Sequence, residues 1–154
     1  DGIEAMAVMR IEQCHSAGAE INGQRTAHSL VLGRMINKSK DSIGNVMSDR
    51  DAFNDPNASV LVGLKQLGCD APLVGGSYLL KLNDALTEQA DQGHVTSVAY
   101  SPNLKCTIGL GFLKNGADRM GERMRAVNPL QGQDVEVEIT SPVFIDPDGE
   151  RLRA

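Results

Sequence analysis

Arg10 stands where the pattern calls for an apolar residue. At about 100° per residue, Ile3, Met6, Ala7, Ile11 and Cys14 fall in one apolar stripe of a helix running from Ile3 to about Gln13, and Arg10 lies in the middle of that stripe. A guanidinium on an apolar face must snorkel or find a partner, because an unpaired buried charge is very costly. Two chemistries satisfy it. One is a structural ion pair, or a cap on another segment's carbonyls. The other is an anchor for an anionic or polar ligand at a domain junction. Spacing leaves both open. Asp134, Glu136 and Glu138 form a second candidate, since residues two apart share one face of a strand. Their mutual repulsion could raise a pKa, but an exposed acidic stripe more simply serves solubility.

Other chemistries are excluded. His15, His28 and His94 form no HxxxH or HExxH spacing, and Cys14, Cys69 and Cys106 are odd in number with no CxxC, so neither a zinc site nor a disulfide framework fits. Unpaired cysteines suit a reducing compartment, and the expected location is cytoplasmic. No GxSxG, P-loop or GxGxxG occurs; 109-GLG-111 sits in a strand-like run and marks a tight bend or a close backbone approach. The net charge is −5, with 6 basic and 8 acidic residues up to residue 58 and 9 and 12 beyond it, so no basic footprint for nucleic acid exists. Arg119, Arg123 and Arg125 are interrupted by Asp118 and Glu122 and read as a solvated face rather than a phosphate site. No apolar run approaches the roughly 20 residues that span a bilayer, so no membrane partner is expected.

The elements that must position Arg10 follow from punctuation. The 154 residues suit one domain, or a small domain plus part of another, and a start at Asp1 without Met is expected of a piece of something longer. Residues 1–50 read as helical, with a second short helix over Ala27 to Met35 behind Thr26 as N-cap and a third after Asp41, where Gly44 allows close packing. Residues 51–58 form an Asn/Asp/Pro linker. Strands are expected over Ser59–Gln66, Tyr78–Leu82, His94–Ser101, Leu104–Leu113, Glu122–Val127, Asp134–Thr140 and Val143–Ile145. The fold class is therefore α+β: a short helical segment, then a small antiparallel Greek-key β-barrel over 59–154.

Longer stretches carry a family signal. The segment 2-GIEAMAVMRIEQCHSAGAEINGQRTAHSLVLGRMI-36, followed by 40-KDSIG-44, resembles the C-terminal part of the folate-binding aminomethyltransferases, a family that includes the glycine cleavage T-protein. The stretch 93-GHVTSVAYSPNLKCTIGLGFL-113 is similar to that family's Gly-Xaa-Val-Thr-Ser…Ser-Pro…Ile-Gly-Leu-Gly pattern. The tail 122-ERMRAVNPLQGQDVEVEITSPVFIDPDGERLRA-154 resembles the C-terminal end of the alpha subunits of heterotetrameric sarcosine oxidases, and Glu-Arg-Leu-Arg-Ala is where such a subunit is expected to end.

The resemblance implies that residues 1–50 are the C-terminal helical part of the folate-binding domain. It implies a folate site that traps the imine from sarcosine oxidation as 5,10-methylenetetrahydrofolate, with FAD, FMN and NAD in the parent complex and beta, gamma and delta subunits as partners. Arg10 matches the Arg of the family's Arg-Leu-Glu motif and is implied at the folate site, where its planar fork suits a pterin carbonyl or a glutamate-tail carboxylate. Glu12 matches the motif's Glu and reads as structural. Tyr100 and Ser101, with Pro102, occupy a loop facing the family's folate region and are weaker folate-binding candidates than turn formers. Ala17 stands where the T-protein usually has Tyr, a departure that fits the sarcosine oxidase branch better. The family's catalytic acid and pterin-binding Glu have no match here, so no catalytic residue is assigned and the 154 residues alone are expected to be inactive. The alternatives are a T-protein-like aminomethyltransferase and a non-catalytic β-barrel interaction module.

Overall fold

The computed structural model describes residues 2–53, 55, 57–68 and 71–154. Cys69, and Asn54 and Pro56 of the expected linker, lie outside the described residues. Helix α1 spans Gly2–Glu12, and a single helical turn, α2, spans Asn45–Ser48. Six strands follow: β1 Ser59–Leu67, β2 Tyr78–Lys81, β3 Gly93–Ser101, β4 Cys106–Lys114, β5 Arg123–Asn128 and β6 Gln133–Thr140. They close an antiparallel barrel in the order β1-β4-β3-β2-β5-β6. The hairpin-linked β2, β3 and β4 with β1 returning beside β4 make a Greek key. Closure by the β1–β6 pairing, Gly63 opposite Thr140 through Leu67 opposite Glu136, removes the sheet's edges.

Strand alternation builds two apolar layers. Val62, Leu64, Leu79, Val95, Leu113, Met124, Val135, Val137 and Ile139 fill the barrel. Leu61, Ile108, Leu110 and Phe112 point outward and pack with Ile11 and Leu30 beneath the N-terminal segment, so β4 is buried on both faces. Gly109 and Gly111 lie between these outward residues. A methyl at Gly111 would sit 2.7 Å from the His94 carbonyl oxygen, and one at Gly109 would sit 2.9 Å from that of Ser97. The GLG step therefore marks a close approach of β3 to β4, next to a bulge at Val95 to Ser97.

The helical half is more irregular than its pattern. Thr26 does accept the Ser29 N–H at 3.1 Å, as an N-cap would, yet only turns follow, with Val31 left-handed (φ 61°) and a 3-10 turn at Gly33–Met35. The reason is long-range: the Ser29 carbonyl, which a helix would use at Gly33, accepts the N–H of Leu61 at 2.7 Å. The third helix has Gly44 rather than Asp41 as its N-cap. Gly44 supplies a φ of 93°, and nothing lies within 4 Å of where its Cβ would be, so conformation and not close packing explains it.

Two further expectations are corrected. Of the α1 stripe only Ile11 is fully buried; Ile3 is 84% and Met6 67% exposed, because α1 meets the barrel through its last turn alone. Val143–Ile145 is not a strand, since no sheet edge remains free to pair with it. Instead the N–H groups of Phe144 and Ile145 donate to the Glu12 carbonyl at 2.9 and 3.0 Å and strap the end of α1. Among the described residues no helix is long and apolar enough to cross a membrane.

Candidate functional site

The last turn of α1 lies against β3, and two polar clusters fasten it there. In the first, Arg10 Nη1 lies 3.2 Å from Glu20 Oε2, and Nη2 donates to Ser97 Oγ at 2.7 Å. The Ser97 hydroxyl donates in turn to Glu20 Oε1 at 2.5 Å. Ala17 N–H donates to Glu20 Oε2 at 3.0 Å through the tight turn that Gly18 permits with a φ of 46°. Arg10 Nη1 also donates to the His15 carbonyl at 3.3 Å.

Glu20 is fully buried. Burial pushes its carboxyl up, but the Ser97 and Thr96 hydroxyls, the Ala17 N–H and the Arg10 charge outweigh that, and the group sits below its ordinary value. It is therefore ionised at neutral pH, and Arg10 and Glu20 form a matched pair. Of the two chemistries open for Arg10, the ion pair is present. The site still has an open side. Arg10 remains 28% exposed and, with Ile3, Met6, Ala7, Met9, Gln13 and His15, lines a hollow of about 440 Å³. A mostly apolar lining that includes Arg10 can take a flat, mostly apolar molecule that carries hydrogen-bond acceptors.

In the second cluster, the buried Glu12 carboxylate accepts the Ser101 hydroxyl at 2.5 Å and Asn103 Nδ2 at 3.1 Å to each oxygen. Glu12 is thus structural, although it is buried off the apolar stripe. Ser101 is fully buried and its oxygen also accepts the Leu104 N–H at 3.1 Å, so its hydroxyl holds the helix and the turn. The two-residue strand period places Ser97 and Ser101 on the β3 face that carries α1 and Tyr100 on the other, where it is 58% exposed. The structure therefore brings Ser101 to the foot of α1 but does not bring Tyr100 to Arg10.

Glu20, Ser97 and Asn103 had no role in the reading of residue types alone. Their signals were the Gly18-Ala-Glu20, Thr96-Ser97 and Ser101-Pro-Asn103 steps, each inside a stretch that carries the family resemblance. Of the acidic stripe, Asp134 is taken by Arg125 through a charge-assisted pair on the β5–β6 surface. Arg119 pairs with Glu122 at 2.6 Å. Among the described residues no group of three His, Cys, Asp or Glu side chains could hold a metal.

Fold and site together define a small Greek-key barrel that clamps a helix whose half-buried Arg10 pairs with the buried Glu20 of the following turn, beside an open, mostly apolar hollow. The chain belongs to the glycine cleavage T-protein C-terminal barrel domain family, whose model matches residues 60–146. It is 37% identical over 152 residues, 98% of its own length, to the sarcosine oxidase subunit alpha of Rhizobium meliloti (strain 1021). It is 29% identical over 153 residues to the same subunit of Corynebacterium sp. (strain U-96). Aminomethyltransferases of Francisella tularensis match at 26% over 155 residues. The chain spans 15% and 16% of the length of those two subunits and 37% of the aminomethyltransferase. Among solved structures, the glycine cleavage system aminomethyltransferase T of Bartonella henselae superposes with a TM-score of 0.70 at 18% identity, over 93% of this chain and 38% of that one, which establishes the shared fold.

Proposed function

We propose that the chain is the C-terminal part of a sarcosine oxidase alpha subunit and borders a folate site in that assembly. The carrying observation is the 37% identity over 98% of the chain to the Rhizobium meliloti subunit, against 26% to the aminomethyltransferases. In this reading a flavin-bearing partner subunit oxidises sarcosine, and tetrahydrofolate captures the one-carbon unit that would otherwise leave as formaldehyde. The residues here supply a wall of that site. Arg10 offers N–H donors in the lining of the hollow, while Ile3, Met6, Ala7 and Met9 exclude water from one side of a bound ring. The Glu12–Ser101–Asn103 cluster keeps the last turn of α1 on the barrel, so that Arg10 is presented in one orientation. No proton transfer to substrate is assigned to any described residue, and the 154 residues alone are read as inactive.

The test uses the complete polypeptide purified from its source. The expected result is a chain several times longer than 154 residues that co-purifies with flavin-bearing subunits, oxidises sarcosine, and yields less free formaldehyde when tetrahydrofolate is added. A colourless polypeptide about twice this length, purifying alone, would move the assignment to an aminomethyltransferase.

A further inference from the structure

We infer that Glu20 and Ser97 decide what Arg10 can recognise: the three side chains form a donor platform of no net charge, whose ligand is an uncharged acceptor on a flat ring rather than a carboxylate. The inference rests on the folate reading and settles which end of that ligand the hollow would hold.

The argument starts from donors. A guanidinium has five N–H groups. Nη1 donates to Glu20 and to the His15 carbonyl, and Nη2 donates once to Ser97. One N–H on Nε and one on Nη2 are left without a partner among the described residues. Charge comes next. The single positive charge is met at 3.2 Å by a carboxylate that no solvent reaches. The remaining walls of the hollow are Ile3, Met6, Ala7, Met9, Gln13 and His15, with no lysine, second arginine or acid among them.

A carboxylate entering this hollow would lose its hydration and find a cation already matched from behind. The attraction left to it would not repay that desolvation. A ring carbonyl or ring nitrogen loses far less hydration and uses the same two donors. Ser97 makes the arrangement rigid. Its hydroxyl accepts from Arg10 and donates to Glu20, so neither partner can rotate without breaking a second bond. Glu20 and Ser97 are thus positioning residues, acting on a ligand only through Arg10.

The experiment uses the complete polypeptide and two probes. One is 6-methyltetrahydropterin, the ring without a tail; the other is p-aminobenzoylglutamate, the tail without the ring. Arg10→Lys is expected to weaken the ring probe by about fivefold and leave the tail probe within about twofold. Glu20→Gln leaves the guanidinium charge unmatched. It is expected to weaken the ring probe while tightening the tail probe and making that binding salt-dependent. A purely structural role would move both probes together. Weakening of the tail probe alone by Arg10→Lys overturns the proposal, as do unchanged affinities and salt dependence in Glu20→Gln. Should Glu20→Gln not fold, Ser97→Ala keeps the ion pair and is expected to weaken the ring probe only; an unchanged ring affinity there overturns it equally. Failure of tetrahydrofolate and both probes to bind the unaltered protein would instead bring down the folate reading itself.

Discussion

Ser97 Oγ lies 2.5 Å from Glu20 and 2.7 Å from Arg10, so one hydroxyl on β3 ties both halves of an ion pair that belongs to α1 and the turn after it. The pair is a coupled unit, and breaking it from one side leaves a buried carboxylate short of its counter-ion. Arg10→Met is expected to destabilise the chain by about 2–3 kcal/mol, below the about 3–5 kcal/mol of a fully buried pair because Arg10 is 28% exposed. The double variant Arg10→Met/Glu20→Gln is expected to recover at least half of that loss. Urea unfolding of the four proteins closes the cycle. Strictly additive losses would mean that the two residues are not coupled.

Glu12 is held differently, by neutral donors. Ser101→Ala removes the 2.5 Å bond to its carboxylate while Asn103 keeps two bonds at 3.1 Å. A hydrogen bond to a charged group contributes about 1.5–3 kcal/mol, and a loss in that range is expected. The loss has a local signature. The Leu104 N–H, which donates to Ser101 Oγ, and the Phe144 and Ile145 N–H groups, which donate to the Glu12 carbonyl, should exchange faster with solvent. Unchanged exchange at Leu104 would show that the turn holds without Ser101.

These two clusters mark the limit of what residue order discloses. β6 was readable within one residue because Asp134-Val-Glu-Val-Glu-Ile-Thr140 alternates cleanly and its odd members fill the barrel. β4 begins two residues later than its apolar run, because the turn after Pro102 continues through Lys105 with a φ of 54°. Arg10 was visible as a misfit, since a charge in an apolar stripe needs an explanation. Its partners were not: Glu20 returns only through the turn at Gly18 and Ser97 lies 87 residues away, and neither pairing leaves a period. The same blindness explains why the helix expected at Ala27 to Met35 is absent. Local propensity favoured it, and a single backbone bond to β1 overrode it. The exposed turns of α1 were misjudged because an apolar stripe predicts burial without saying what covers it.

Cys14 offers a chemical probe of the first cluster. Burial, and after it the Glu20 charge, push its thiol up to about 11. At pH 8 its thiolate fraction is then about a hundredfold or more below that of an ordinary cysteine, and reaction with a disulfide reagent slows in proportion. Glu20→Gln removes the charge but not the burial, so Cys14 is expected to react faster in that variant while remaining slower than a free thiol. Mapping of the modified peptides separates Cys14 from Cys69 and Cys106. Labelling of Cys14 at the rate of a free peptide thiol would contradict its packing against the cluster that contains Ile11 and Phe112.

Acid should loosen the chain in two stages. His94 lies 5.9 Å from the Phe112 ring, whose face Arg25 covers at 3.7 Å. Burial, then the Arg25 charge, lower the His94 pKa, and Asp91 opposes them only in part. Below the ordinary histidine value of 6.5 the unfolded chain binds a proton that the folded chain refuses, so stability falls as pH falls, until folded His94 also titrates. Glu20 acts in a lower window. Its folded pKa lies below the ordinary 4.5, so its contribution is complete above that value and is lost as pH drops through the folded one. Each group can impose a slope of at most about 1.4 kcal/mol per pH unit. Urea unfolding between pH 8 and pH 3 is expected to show both declines. His94→Gln should remove the upper one and leave the lower. Glu20→Gln should leave the upper one and shrink the lower, the rest of which belongs to Glu122, held below its ordinary value by Arg119. A stability flat from pH 7 to pH 5, or an upper decline that survives His94→Gln, would show that the ring is not held neutral between Phe112 and Arg25.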